Sequence, residues 1–233
     1  MLEVVSRNYN NRNLSESFYE LAKVYFSNGN ETLPDEKRTV VLAEYGDNKS
    51  FFTLKGKVEA ILEMSGVKNY DVEAVSTAAS YHPGRTAKIT ANGKELAIIG
   101  EIHPDVLENY SIGTKVWAAQ IDFDYLYEIK NTLRLYSALP RYPAITRDLA
   151  FVCEKEVPVL TLEKLISGAV GKKLEKIELF DVYEGIQVGP NKKSVAFSLT
   201  LRAADRTLTD EEADTAVKKA IKALAEIGAT LRG

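Results

Sequence analysis

The segment Ser194-Val195-Ala196-Phe197-Ser198-Leu199-Thr200-Leu201-Arg202 alternates between apolar and small or polar side chains. Alternation with a period of two marks a β-strand that buries one face. It assigns Val195, Phe197, Leu199 and Leu201 to a core and turns Ser194, Ala196, Ser198, Thr200 and Arg202 away from it. Just upstream, residues 177–183 read as a partner strand, because Gly185, Gly189, Pro190 and Asn191 supply the chemistry of a hairpin connection. There Phe180 and Val182 are expected on the core face, which turns Asp181 and Tyr183 outward together with Ile177 and Leu179.

Moving outward from this hairpin, residues 149–153 read as an earlier strand, followed by the helical stripe Leu162, Leu165, Ile166, Ala169 and Val170. After the hairpin, Thr209-Asp210-Glu211-Glu212 opens a second helix. Thr209 is positioned to cap the first turn and Glu212 to reach back, and the acids suit the helix dipole. The stripe Ala213, Ala216, Val217, Ala220, Ile221, Leu224 and Ile227 continues to Gly228, a helix stop before a last short strand at 229–232. The order βαββαβ is that of the ferredoxin-like split fold, which carries both helices on one face of its sheet.

Two prolines, Pro140 and Pro143, precede this unit and break regular structure from Ser137 onward. The expected organisation is a first domain at 1–138, a linker at 139–143 and a second domain at 144–233, in keeping with a length of 233 residues. The first domain is read as a mainly antiparallel sheet, with strands at 17–26, 39–44, 72–77, 87–91, 95–100 and 116–122 and a helix at 57–64. Asn8-Tyr9-Asn10-Asn11-Arg12-Asn13 favours a turn. Beginning so near its first strand, the chain reads as a piece of something longer.

Composition points to a soluble, cytoplasmic globular protein, with 45% hydrophobic and 27% charged residues. No apolar run approaches the ~18 residues of a membrane span, and no secretory signal precedes the first domain. A net charge of −3 argues against a strongly electrostatic nucleic-acid binder, so DNA binding is not expected. Residues 1–140 carry −4 and residues 141–233 carry +1, so any RNA contact belongs to the second half, through stacking and base edges more than charge.

Candidate chemistry is sparse. His82 and His103 both precede proline without further ligands at metal-site spacing, which makes them turn-positioning residues and gives no metal site. Cys153, the lone cysteine, reads as a small buried hydrophobe. Gly189-Pro190-Asn191-Lys192-Lys193-Ser194 ends in Lys-Ser but lacks the second glycine of a phosphate loop and joins strand to strand, so it reads as a hairpin turn. The open sheet face remains. An acid, an aromatic, small hydroxyls and an arginine together form a platform for an unstacked base, although tyrosine is also a common strand residue in its own right.

Several segments resemble the beta subunit of bacterial phenylalanyl-tRNA synthetase. In the first half they are Phe18-Tyr19-Glu20-Leu21-Ala22-Lys23-Val24-Tyr25-Phe26, Phe51-Phe52-Thr53-Leu54-Lys55-Gly56-Lys57-Val58-Glu59, His82-Pro83-Gly84-Arg85-Thr86-Ala87 and Gly100-Glu101-Ile102-His103-Pro104. In the second they are Pro143-Ala144-Ile145-Thr146-Arg147-Asp148-Leu149-Ala150, Leu179-Phe180-Asp181-Val182-Tyr183-Glu184-Gly185, Lys193-Ser194-Val195-Ala196-Phe197 and Thr207-Leu208-Thr209-Asp210-Glu211. The resemblance implies an α+β chain, a class II synthetase-like domain without catalytic residues followed by a ferredoxin-like anticodon-binding domain. It implies as partners the tRNA for phenylalanine and an alpha subunit, in an assembly of two alpha and two beta chains that uses ATP and Mg²⁺, with no cofactor held by this fragment. No Phe-Arg-x-Glu signature of a class II ATP site occurs in the sequence, so the fragment alone is expected to be inactive. The positions matching anticodon recognition are Asp181, Tyr183 and Ser194; geometry adds Lys193 and Arg202. The alternative from another class is an amino-acid-sensing regulatory protein, since ferredoxin-like domains also serve that role.

Overall fold

The computed structural model describes residues 1–29, 33–133, 136 and 139–232. Ser137, Ala138 and Gly233, at the start of the expected break, the expected end of the first domain and the C-terminus, lie outside the described residues. The chain divides into two compact units, Met1–Leu135 and Tyr136–Gly233.

In the first unit the elements run α1 (Leu2–Asn10), β1 (Glu16–Phe26), β2 (Asp35–Tyr45), α2 (Phe51–Met64), β3 (Tyr70–Ala74), β4 (Tyr81–Ala91), β5 (Lys94–Ile102), α3 (Pro104–Asn109), β6 (Val116–Asp122) and α4 (Phe123–Ile129). The strands form one antiparallel sheet in the order β1-β2-β6-β5-β4-β3. Helix α2 begins at a capping box in which Ser50 and Thr53 satisfy each other's backbone N–H groups. It lays Leu54, Val58 and Leu62 on Ile89, Ile99 and Ile121 of one sheet face. On the other face Val5 of α1 and Leu107 of α3 pack with Tyr45 and Val116.

Helices α1, α3 and α4 depart from the strand-dominated expectation. The asparagine run does not begin with a turn: α1 continues through Asn10, and the turn falls at Asn11 and Arg12, whose φ is +66°. That helix is tied to a neighbouring loop, with the Asn10 side-chain amide donating to the Ser111 carbonyl at 3.4 Å and the Ser6 hydroxyl to the Tyr110 carbonyl at 2.6 Å. The histidines do position turns: His82 Nδ1 accepts from the Gly84 N–H (3.1 Å), and His103 caps α3 by accepting from the Asp105 N–H (3.2 Å).

In the second unit β7 (Ile145–Glu154), α5 (Val159–Val170), β8 (Leu174–Tyr183), β9 (Lys192–Leu201), α6 (Asp210–Ala225) and β10 (Thr230–Leu231) follow the βαββαβ order. The sheet runs β10-β7-β9-β8, all antiparallel, which is the ferredoxin-like arrangement. Leu162 and Ile166 of α5 and Ala213, Ala216, Ala220 and Leu224 of α6 cover Phe151, Val195, Phe197, Leu199 and Leu201. The alanines let α6 lie close to the sheet. The capping box at Thr209 and Glu212 forms, each side chain taking the other's backbone N–H at 3.3 Å. No helix among the described residues is long and apolar enough to cross a membrane.

One strand face differs from the sequence expectation. Ile177 and Leu179 do not turn outward with Asp181. They stand opposite Leu199 and Phe197, on the helix-covered face, because a β-bulge at Phe180 inserts an extra residue between Leu179 and Asp181. The bulge shifts the parity of the strand, so that Asp181 and Tyr183 face out where Ile177 and Leu179 face in.

Candidate nucleic-acid interface

Residues directly opposite each other on antiparallel strands share a face. Asp181 faces Ala196 and Tyr183 faces Ser194, so these four occupy the helix-free side of the sheet at the end where β8 turns into β9. The central strand there carries only small side chains, and Ser194 and Ala196 are almost fully covered by their longer neighbours. Asp181 is exposed and makes no ion pair or hydrogen bond among the described residues, so both carboxylate oxygens can accept.

Tyr183 is held by its surroundings. An ideal Cβ on Gly185 would stand 2.3 Å from the Tyr183 hydroxyl oxygen and 2.6 Å from Cζ, so only glycine leaves room for the ring. The guanidinium of Arg232 lies over the same ring, 5.5 Å from its centroid. Arg232 Nη1 donates to Ser194 Oγ at 3.4 Å and Nη2 to Gln187 Oε1 at 3.1 Å, while its backbone N–H donates to the Ala150 carbonyl at 2.8 Å. The C-terminal strand thus sends one arginine across β7 to the aromatic and the hydroxyl.

Arg232 was not among the residues singled out from sequence. The signal was present, since a strand at 229–232 puts Thr230 and Arg232 on one face, and that face is the helix-free one, Thr230 pairing with Val152 opposite Ser194.

The structure separates the other two candidates from this cluster. Lys193 stands opposite Cys153 on the helix-side set and is buried, its charge countering the effect of burial, which pushes the Cys153 thiol up. Arg202 lies eight residues from Ser194 along the chain, about 26 Å at strand rise. Its guanidinium is engaged by Glu175 at 2.6 Å and by the Tyr142 carbonyl, which fastens the residues before β7 to the end of β9. The cation beside Tyr183 is instead Arg232, while Lys155 pairs with the next residue, Glu184, at 2.7 Å. Among the described residues no three metal-ligating side chains come together.

An aromatic ring, an available carboxylate, a covered hydroxyl and an arginine on an otherwise small-residue surface can stack a planar base and hydrogen-bond its edge.

Residues 1–123 match the model described as "Phenylalanyl tRNA synthetase beta chain CLM domain", and residues 140–232 match "Ferredoxin-fold anticodon binding domain". The whole chain aligns at 39% identity with 30% of a phenylalanine--tRNA ligase beta subunit of Clostridium tetani and with 29% of one from Clostridium acetobutylicum. The corresponding protein of Bacillus subtilis is 36% identical over 100% of this chain and 30% of its own length. The chain therefore spans about 30% of the curated relatives it matches. A pyrrolysyl-tRNA synthetase structure from Desulfitobacterium hafniense overlays 55% of this chain and 46% of its own at 19% identity and a TM-score of 0.44, too loose to argue from.

Proposed function

The chain belongs to the phenylalanyl-tRNA synthetase beta chain family, and on that premise we propose that it is a non-catalytic, tRNA-binding and assembly portion of a phenylalanine-tRNA ligase. Its ferredoxin-like unit reads the anticodon of the tRNA for phenylalanine, and its first unit packs on a catalytic alpha subunit, in a cytoplasmic assembly of two alpha and two beta chains. ATP and Mg²⁺ are used by the assembled enzyme, and this chain holds no cofactor.

The observation that carries the reading is the Tyr183 ring, fitted against Gly185 and beneath Arg232, beside Asp181 and Ser194 on the helix-free sheet face. Tyr183 stacks on an unpaired anticodon base. Asp181 accepts hydrogen bonds from the amino and imino edge of guanine, the first anticodon base of tRNAs for phenylalanine. Arg232 adds a cation for the adjoining base edge or phosphate, and the covered Ser194 hydroxyl helps to orient it. Lys193 and Arg202 are left out of the site, the first because it stands on the helix-covered side of the sheet opposite Cys153 and the second for its distance and its bonds to Glu175 and Tyr142. An amino-acid-sensing regulator is the less favoured reading, because neither the match over residues 1–123 nor the names of the relatives speak for it.

The test is Tyr183→Ala in the assembled full-length enzyme. Loss of one stacked base is expected to weaken tRNA use by about tenfold to a hundredfold with phenylalanine activation unchanged. Unchanged tRNA charging would remove the open-face site.

A further inference from the structure

The first unit contains a cavity of about 320 Å³ on the α2-covered side of its sheet. Its walls come from the first turn of α2, where the Phe51 and Phe52 rings meet edge to face at 5.5 Å, from Gly84 to Ala87 of β4, and from Trp117 of β6. The strand registers put Glu44, Trp117 and Glu101 side by side across β2, β6 and β5. Both carboxylates are buried, 1% and 3% exposed, and each has its own cation. Glu44 takes Lys57 and the Thr53 hydroxyl, and Glu101 takes Arg85 Nη1 at 2.7 Å.

The consequence for the cavity lies in how Arg85 is held. Glu101 anchors one arm of the guanidinium from below, while the side chain as a whole stays 48% exposed at the cavity wall. A planar guanidinium fixed in this way presents its remaining N–H donors in a set direction. Trp117 is half-buried, and its indole N–H makes no hydrogen bond among the described residues; since no buried side-chain nitrogen there lacks a partner, that N–H reaches open space. The lining therefore offers three aromatic rings and one anchored cation, and no acidic side chain.

We propose that this cavity is a binding site for a small molecule made of one planar aromatic ring bearing an anionic group. The ring lies against Phe52 and Trp117 and the anion accepts from Arg85. The volume is at the lower end of small-molecule sites, which suits a single ring. With Glu101 already paired, nothing in the lining receives an ammonium group, so an aromatic acid is preferred to an aromatic amino acid. An aromatic carboxylate and a nucleoside monophosphate share the ring and the anion, and the two are separated by titration.

Trp117 is the only tryptophan of the chain, so its emission reports on the cavity alone. The 233-residue chain is titrated with 3-phenylpropionate, 3-phenylpropanamide, phenylalanine and adenosine 5′-monophosphate. The acid is expected to give a saturable emission change, with the amide weaker by about tenfold or more for want of the charged hydrogen bond. Phenylalanine and the nucleotide should bind more weakly than the acid. Phe52 is 78% exposed, so Phe52→Ala leaves the fold intact and should weaken the acid by about threefold to tenfold. Ala74→Leu, which fills the cavity, should abolish the signal. Because Arg85→Ala alone would strand a buried carboxylate, the anion contact is tested in the Arg85→Ala, Glu101→Gln double variant, which should bind acid and amide equally. No saturable change with the acid, equal binding of acid and amide by the parent, or a preference for phenylalanine or the nucleotide would overturn the proposal.

Discussion

Replacing Gly185 by alanine perturbs the proposed base platform without removing any group that would contact RNA. The backbone at Gly185 is extended, with φ at −179°, so alanine introduces no backbone strain. Its Cβ, however, would lie 2.3 Å from the Tyr183 hydroxyl and 2.6 Å from Cζ, against an ordinary contact of about 3.5 Å. The ring must therefore move by roughly 1 Å or swing to another rotamer, away from its position under Arg232. The site is a surface turn, so folding stability should change by no more than about 0.5 kcal/mol. Stacking of one base is worth about 1–3 kcal/mol, and a displaced ring forfeits up to that amount, so binding of an anticodon stem-loop should weaken by about fivefold to a hundredfold. Gel-shift titration of the chain, with thermal unfolding as a control, measures both. If the loss runs through the ring, Gly185→Ala adds nothing once Tyr183 is already alanine. Full additivity of the two losses, or parent-like binding by Gly185→Ala, would refute the argument.

Two further outcomes follow from the second unit. Residues 136–233, with their own core and both helix stripes packed, should unfold cooperatively when expressed alone, which circular dichroism against urea reads directly. Glu212 is held below the ordinary 4.5 of its carboxyl by the Lys173 ammonium first, then by the Thr209 N–H and Arg206. A depressed folded pKa means stabilisation that is present above about pH 4.5 and lost as the pH falls through the folded value. Glu212→Gln should accordingly lower the melting temperature at pH 7, and the gap to the parent should close in acid.

Much of this architecture can be read along the chain because the decisive strand, β9, carries large apolar side chains on one side only. Its alternation separates Phe197 and Leu199 from Ser194 and Ser198 with no ambiguity, and Thr209 and Glu212 mark the start of α6 in the sequence itself. The bulge at Phe180 carries no such mark. Counting by twos through it gives the right side for Asp181 and Tyr183 and the opposite side for Ile177 and Leu179. Alternation also tells which face a residue takes but not which end of the strand matters, which is why Arg202 reads as a neighbour of Ser194 when the two lie at opposite ends of β9. Arg232 is harder to see, because its role depends on the β10-β7-β9-β8 strand order, which brings the C-terminal strand beside β7 and its arginine within reach of Ser194. In the first unit α1 is obscured by asparagines, which favour turns locally and here serve a helix face bonded to the loop at Tyr110 and Ser111.

Recognition of the first anticodon base by the helix-free face of the second unit rests above all on Asp181. Charging by the full enzyme is compared for tRNA with guanine at that position and for tRNAs altered there, with the parent and with Asp181→Ala. The parent should favour guanine, and Asp181→Ala should reduce that preference by roughly tenfold or more, the cost of one charged hydrogen bond, while leaving phenylalanine activation unchanged. An undiminished preference for guanine in Asp181→Ala would contradict the account.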